Sequence, residues 1–286
     1  MEHIGQIQPL ISEQVTSSNT FIDSSHTEKP TVIKSYPTVK SQVIKSSDHS
    51  ASVQVNPDKI LSVSDEAIFR QLLKTYDHVF SPVTSTYNGK LGECFVEVNM
   101  GKNLPPQRKG RVPFYGRDNL QLLQQKFDDL EKIGVFSRPQ DIGVTVENTN
   151  PSFLVNKPHS SDPTDKRLVT EFASISEYCR PTPSKLPSVD ETLRTMSGWK
   201  YLIPTDMTKA YFQLQLKKSS KKYCGVHTPY EGLRCYNVGC MGLPGVEVAL
   251  EELTCLLFGE MVKEGNVAKL ADDSFIAGET PRELLQ

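Results

Sequence analysis

The sequence predicts an α+β fold, on three observations. Apolar residues recur at helical spacing in three segments: near Ser64–Tyr76, from about Asp118 to Gly134, and from about Gly245 to Glu264. Between them lie short runs rich in β-branched and aromatic residues, bounded by the Gly, Pro, Asn and Asp of turns and hairpins. The third observation is chemical. Two strand-like runs carry acids that an apolar strand has no reason to hold: Asp206 in Trp199–Met207, and the adjacent Asp272 and Asp273 in Val267–Ala277.

Each element follows from its residues. Residues 1–57 are rich in Ser, Thr, Lys and Gln with isolated apolar positions, so they predict a disordered leader or linker. From Ser64 a capped amphipathic helix is expected, with Ile68, Leu72, Leu73 and Tyr76 inward. The second helix should bury Leu120, Leu123, Phe127 and Leu130 and stop at Gly134. Strands are expected at Gly143–Glu147, Ser152–Val155 and Arg167–Phe172, the last two meeting through the polar tip His159–Asp165. A capping box, Ser188–Glu191, opens a short helix that ends near Gly198. The Asp206 strand comes next, followed by a β-rich stretch over 211–238. The long third helix turns Ala249, Leu250, Leu253, Leu257 and Met261 inward and stops at Gly265, just before the Asp272–Asp273 hairpin. Thr280–Leu285 has the form of a helix opening, with Thr as N-cap, Pro next and Glu at the third position. One turn cannot hold itself, so the sequence reads as cut in mid-element.

Composition bounds the function. With 286 residues, 37% hydrophobic and 23% charged, there is material for one large or two small domains. A net charge of −2 and a pI near 6.3 give no global case for nucleic acid. Two local basic clusters do. Lys102–Arg117 holds five cations and no acid, with Arg108, Lys109 and Arg111 at its centre, and Pro, Gly and aromatic residues make it an extended arm. Lys217–Lys222 is the second, with turn chemistry. Either suits phosphate, and either suits a solvated loop. The six cysteines are scattered and no secretory signal opens the chain, which points to reduced thiols. Cys224, His227, Cys235 and Cys240 match no standard zinc spacing and alternate as strand residues do. No apolar stretch is long enough to cross a bilayer.

Burying uncompensated carboxylates costs several kcal/mol, and a divalent cation is the usual compensation. Two acid-bearing strands separated by a long helix would bring Asp206, Asp272 and Asp273 around a pair of magnesium ions, the apparatus of phosphoryl transfer. Asp128-Asp129 is the contrast: its helical spacing puts both acids on a wet face.

In that order and spacing, these motifs resemble the reverse transcriptases of LTR retroelements, nearest to gypsy-type Pol polyproteins, from about residue 60 onward. The resemblance implies a right-hand polymerase fold with fingers and part of the palm, an antiparallel sheet carrying packed helices, and the thumb absent. It divides the chain into fingers over 58–180, palm over 181–213, fingers again over 214–243 and palm over 244–286. It implies that Asp206, Asp272 and Asp273 are catalytic and hold two Mg²⁺ ions, with Mn²⁺ able to substitute. Tyr211 lies where the family keeps an aromatic gate against the ribose 2′-hydroxyl. Arg167 and Lys157 match the cations that grip the dNTP triphosphate, and Met241–Gly242 matches the loop against nucleotide and template. Gln213 belongs to the same signature as a nucleic-acid contact or a structural amide. The implied partners are an RNA or DNA template-primer, dNTP, and the remaining Pol domains (thumb, ribonuclease H, integrase) or a second chain, with no membrane. The implied localisation is intracellular, in a cytoplasmic particle or the nucleus.

The sequence also departs from the family pattern. Leu270 replaces an aromatic, Glu171, Ala173 and Ser176 replace an aspartate, an arginine and an asparagine, and Val246 and Glu247 alter the opening of the long helix. The chain ends soon after Asp273, so primer grip, thumb and ribonuclease H have no counterpart, and weak or absent polymerisation by this chain alone is expected. The competing readings are a catalytically inactive, retroelement-derived nucleic-acid-binding protein and a decayed gene product that folds poorly. Retention of three repelling carboxylates favours the enzyme, because a binder would gain by losing them.

Overall fold

The computed structural model describes residues 48–107, 110–158, 160–183 and 186–285. A 3₁₀ turn, His49–Ser52, is fastened to a second, Asp77–Phe80, by the Ser50 amide donating to Asp77 Oδ1 at 2.7 Å. Structure therefore starts inside the stretch expected as a leader, whose residues 1–47 lie outside the described residues. Helix α1 (Val63–Thr75) begins where Ser62 Oγ accepts from the Asp65 amide at 3.1 Å. Its half-buried face is Phe69, Leu72, Leu73 and Tyr76, while Ile68 is 46% exposed. The bulkier Phe69 takes the inward place expected for Ile68.

Strand β1 (Phe95–Val96) precedes α2 (Arg117–Lys132), which buries Leu123 and Phe127 and closes at Gly134 with φ of 84°. Then come β2 (Phe136–Ser137) and β3 (Thr149–Asn150). The strand expected at Gly143–Glu147 does not form. The Glu147 and Asn148 amides both donate to the Lys222 carbonyl, at 2.8 and 3.2 Å, so pairing starts only at Thr149. β4 (Ser152–Asn156) and β5 (Lys166–Thr170) make the expected hairpin, followed by α3 (Ala173–Ser176). The capping box of Ser188 and Glu191 is present and opens α4 (Val189–Met196). The order continues with β6 (Tyr201–Asp206), β7 (Gln215–Leu216), α5 (Lys218–Lys221), β8 (Gly225–Thr228) and β9 (Gly232–Tyr236). It ends with α6 (Val246–Lys263), β10 (Val267–Leu270), β11 (Asp273–Gly278) and a 3₁₀ turn, Glu283–Leu285.

Two sheets organise the molecule. One is antiparallel, in the order β10-β11-β6; the other is four-stranded, β2-β9-β8-β3, with β3 parallel to β8. The core lies where α2 and α6 meet these strands. Phe136 is its hub, with ring centroids 5.2 Å from Phe127 and 4.3 Å from Tyr236, and Leu214, Val226, Leu250 and Leu253 complete it. Full burial of each such side chain contributes about 1.5–3 kcal/mol. Along α6, Ala249, Leu250 and Leu253 are buried, but Met261 is 43% exposed, contrary to the inward set read from spacing. Gly245, with φ of 85°, starts α6 against the Glu97 carbonyl, where a Cβ would collide.

Candidate active site

Backbone pairing decides where the acids go. β11 runs antiparallel to β6 without interruption from Gly278↔Tyr201 to Asp273↔Asp206. Directly opposed residues of an antiparallel pair project to one face, so Asp206 and Asp273 share a face. β10 and β11 join through Ala271 and Asp272 alone, flanked by the Leu270↔Asp273 pair. Ala271 takes φ of 55°, a left-handed conformation that residues with a Cβ seldom hold. The Met207 amide donates to the Asp272 carbonyl at 3.2 Å, and Thr205 Oγ1 donates to the Ser274 carbonyl at 2.9 Å. The structure therefore brings all three predicted aspartates to one end of the sheet.

Their electrostatics follow from that placement. Burial, and then the charge of Asp272, push the Asp273 carboxyl above the usual range. Tyr211 stands in the 3₁₀ turn Ala210–Gln213, which Lys209 enters with φ of 51°. Its phenol is pushed up by burial first, then by Asp272 and Glu247, so the predicted gate residue lies within the field of the acids. Tyr211, Leu270, Ala271, Glu247 and Glu251 line a cavity of about 110 Å³ beside the turn. Three carboxylates are hard oxygen donors, the chemistry a divalent cation such as Mg²⁺ accepts. Their ligand atoms do not all come within 4.8 Å of one another, as mutual repulsion predicts.

Among the described residues, the carboxylates that do gather within 4.8 Å are Asp128, Glu131 and Glu231. Arg234 accounts for them. Its side chain is 2% exposed, with Nε 2.7 Å from Glu131 and Nη2 2.7 Å from Glu231. Asp128 accepts from Gln124 Nε2 and Asp129 pairs with Lys132, in keeping with the bland reading of that dipeptide.

The remaining candidates separate into groups. Arg167 is exposed on β5 opposite Val155, and Lys157 pairs with Asp165 at 2.6 Å near the hairpin tip. Arg167 stands on, and Lys157 just beyond, a two-stranded sheet separate from that of the acids. Met241 is 67% exposed, and Gly242, with φ of 80°, turns the chain toward α6. Gln213 is buried and its Nε2 donates to the Thr208 carbonyl at 3.0 Å, tying the turn that carries Tyr211. Arg111 is exposed at a cavity of about 730 Å³ that Glu171, Ala173 and Glu177 also line. Arg108 and Lys109 lie outside the described residues. The buried thiols of Cys224 and Cys235 donate to the carbonyls of Ser220 and Lys221, and burial pushes Cys235 to about 12.

Sequence reasoning missed one contact of the site. Lys269 of β10, with its side chain 6% exposed, reaches Glu251 of α6 at 2.7 Å and Thr254 Oγ1 at 3.0 Å. Thr192 of α4 donates to the Lys269 carbonyl at 3.1 Å. Two helices thus grip the strand that leads to Asp272. The available signal was a lysine inside the otherwise apolar run Val267–Leu270.

Comparison with known proteins bears on the fold. No family model matches the chain. It is 23% identical over 190 residues to a retrovirus-related Pol polyprotein from the transposon opus of Drosophila melanogaster, covering 64% of this chain and 18% of that polyprotein. Among solved structures it resembles the native prototype foamy virus protease–reverse transcriptase, with a TM-score of 0.64 and 17% identity over 79% of this chain and 28% of the other. The foamy viral enzyme in complex with an RNA/DNA hybrid gives a TM-score of 0.60 at 18% identity, over 78% of this chain and 28% of that one. This chain therefore spans only a minor part of the length of the proteins it matches. It is retroelement-like in sequence and carries part of the reverse-transcriptase fold, as its motifs predicted.

Proposed function

We propose that this chain is the fingers and partial palm of an RNA-directed DNA polymerase, with Asp206, Asp272 and Asp273 as its metal-holding acids. The observation that carries the reading is the Asp206↔Asp273 register with Asp272 in the adjoining turn. Two Mg²⁺ ions bound there would activate a primer 3′-hydroxyl and neutralise the pyrophosphate leaving group. The chain's own residues do the positioning. Tyr211, in the turn that the Gln213–Thr208 bond ties, stands within the field of Asp272, where it would exclude a ribose 2′-hydroxyl. Arg167, exposed on β5, offers a planar fork to a triphosphate, with Lys157 as its lysine partner and Met241–Gly242 along the nucleotide. Arg108, Lys109 and Arg111 would steady the template-primer through its phosphates.

A second reading is a non-catalytic nucleic-acid-binding protein of retroelement descent. One titration separates the two. The enzyme predicts Mg²⁺-dependent dNTP binding, by calorimetry, that falls at least roughly tenfold in Asp206→Asn. The binder predicts nucleic-acid affinity indifferent both to Mg²⁺ and to that substitution.

A further inference from the structure

The proposed reaction makes no use of the lysine cluster Lys217–Lys222, which the structure divides in two. Lys217 pairs with Glu97 at 2.9 Å and Lys222 with Glu147 at 3.0 Å, both at the surface. Lys218 and Lys221 have no carboxylate partner among the described residues. Lys221 is 9% exposed, and its ammonium donates to the neutral Asn237 Oδ1 at 3.0 Å. Burial holds that ammonium below the usual lysine range, and the positive charge of Lys218 adds to the effect. A rigid support presents it: the Val98 amide donates to Ser220 Oγ at 2.9 Å, and the Cys235 thiol donates to the Lys221 carbonyl at 2.9 Å.

Lys218, Ser219 and Lys221 open on a cavity of about 560 Å³, together with Asn237 and Glu93. With Lys217 and Glu97 neutralising each other, two cations remain against the single carboxylate of Glu93. A buried ammonium with spare protons is stabilised by an anion that accepts them, and lysine binds phosphate as a compact point charge.

We propose that this cavity is a binding site for a phosphate group, held by Lys218 and Lys221 with the Ser219 hydroxyl beside them. The site is distinct from the aspartates, needs no metal, and stands whether or not the chain polymerises. The group is either a free oxyanion or a nucleic-acid backbone phosphate.

The test is calorimetry on the full chain in EDTA at constant ionic strength, with inorganic phosphate in one arm and a short single-stranded DNA in the other. Lys218→Ala and Lys221→Met are compared with the unsubstituted chain, and each is expected to weaken binding roughly tenfold. Lys218 is exposed, so its variant gives the answer even if Lys221→Met fails to fold. A loss in the phosphate arm supports a free-anion site, and a loss confined to the DNA arm supports a backbone phosphate. Absence of binding in both arms, or binding that Lys218→Ala leaves unchanged, overturns the proposal.

Discussion

The molecule gathers acids in two places, by opposite means. Asp128, Glu131 and Glu231 come together because a guanidinium draws them: Arg234 is buried and bridges two of the three. Asp206, Asp272 and Asp273 come together because strand register puts them there, and there burial, followed by the charge of Asp272, raises the Asp273 carboxyl. The tighter cluster is the structural one. A carboxylate group that a buried guanidinium has already neutralised has little to offer a cation. Proximity of acids is therefore a poor guide to a metal site unless the local cations are counted.

The sharpest way to break the comparison is to loosen the register at the second place. Lys269→Met removes the ammonium and strands Glu251, whose side chain is 12% exposed, between β10 and α6. Breaking such a pair from one side costs about 3–5 kcal/mol. Urea unfolding should show that loss, and Mg²⁺-dependent dNTP binding should weaken in the fraction that remains folded, because the strand to Asp272 is no longer held. Unchanged stability would mean that the buried pair does not fasten the hairpin.

Arg234→Met attacks the first place and should cost less. The two glutamates it bridges have side chains 31% and 47% exposed, so water can take over part of their solvation. A loss of about 2–3 kcal/mol is expected in the same assay. Nucleotide binding at the aspartates should be unaffected in the folded protein, since Arg234 on β9 and the acids of α2 lie off the sheet that carries the aspartates.

How far the sequence made this legible differs by element. The caps and the paired acids could be read directly: the Ser188–Glu191 box, the stop at Gly134 and the strand ending at Asp206 all stand where local chemistry put them. Facing Asp206 with Asp273 was inferable from two acid-bearing strands, but their register was not, because it rests on pairing across the whole of β6. The false strand at Gly143–Glu147 and the rotated face of α1 failed for the same reason. The Lys222 carbonyl takes the last amide of the first, and Phe69 displaces Ile68 in the second, and both are tertiary choices. The Arg234 bridge and the division of the four lysines were beyond reach, since each depends on partners far away in the chain.

The smallest effect is the most discriminating. The folded Asp273 carboxyl holds its proton more tightly than an unfolded aspartate does, so ionising it counts against the folded state. That penalty is absent at pH below the unfolded value, grows as pH rises toward the raised folded value, and is complete above it. Asp273→Asn should therefore raise Tm at neutral pH, and the gain should vanish on acidification past the ordinary aspartate range. Because Asp273 is largely exposed, water limits both its desolvation and its repulsion with Asp272, and the gain is on the order of 0.5 kcal/mol. Millimolar Mg²⁺ should close the gap from the other side, by stabilising the unsubstituted chain more than the variant. Equal Mg²⁺ responses in the two proteins would show that the repulsion at Asp273 is not relieved by a cation, and would leave the strand-end acids no better a metal site than the acids around Arg234.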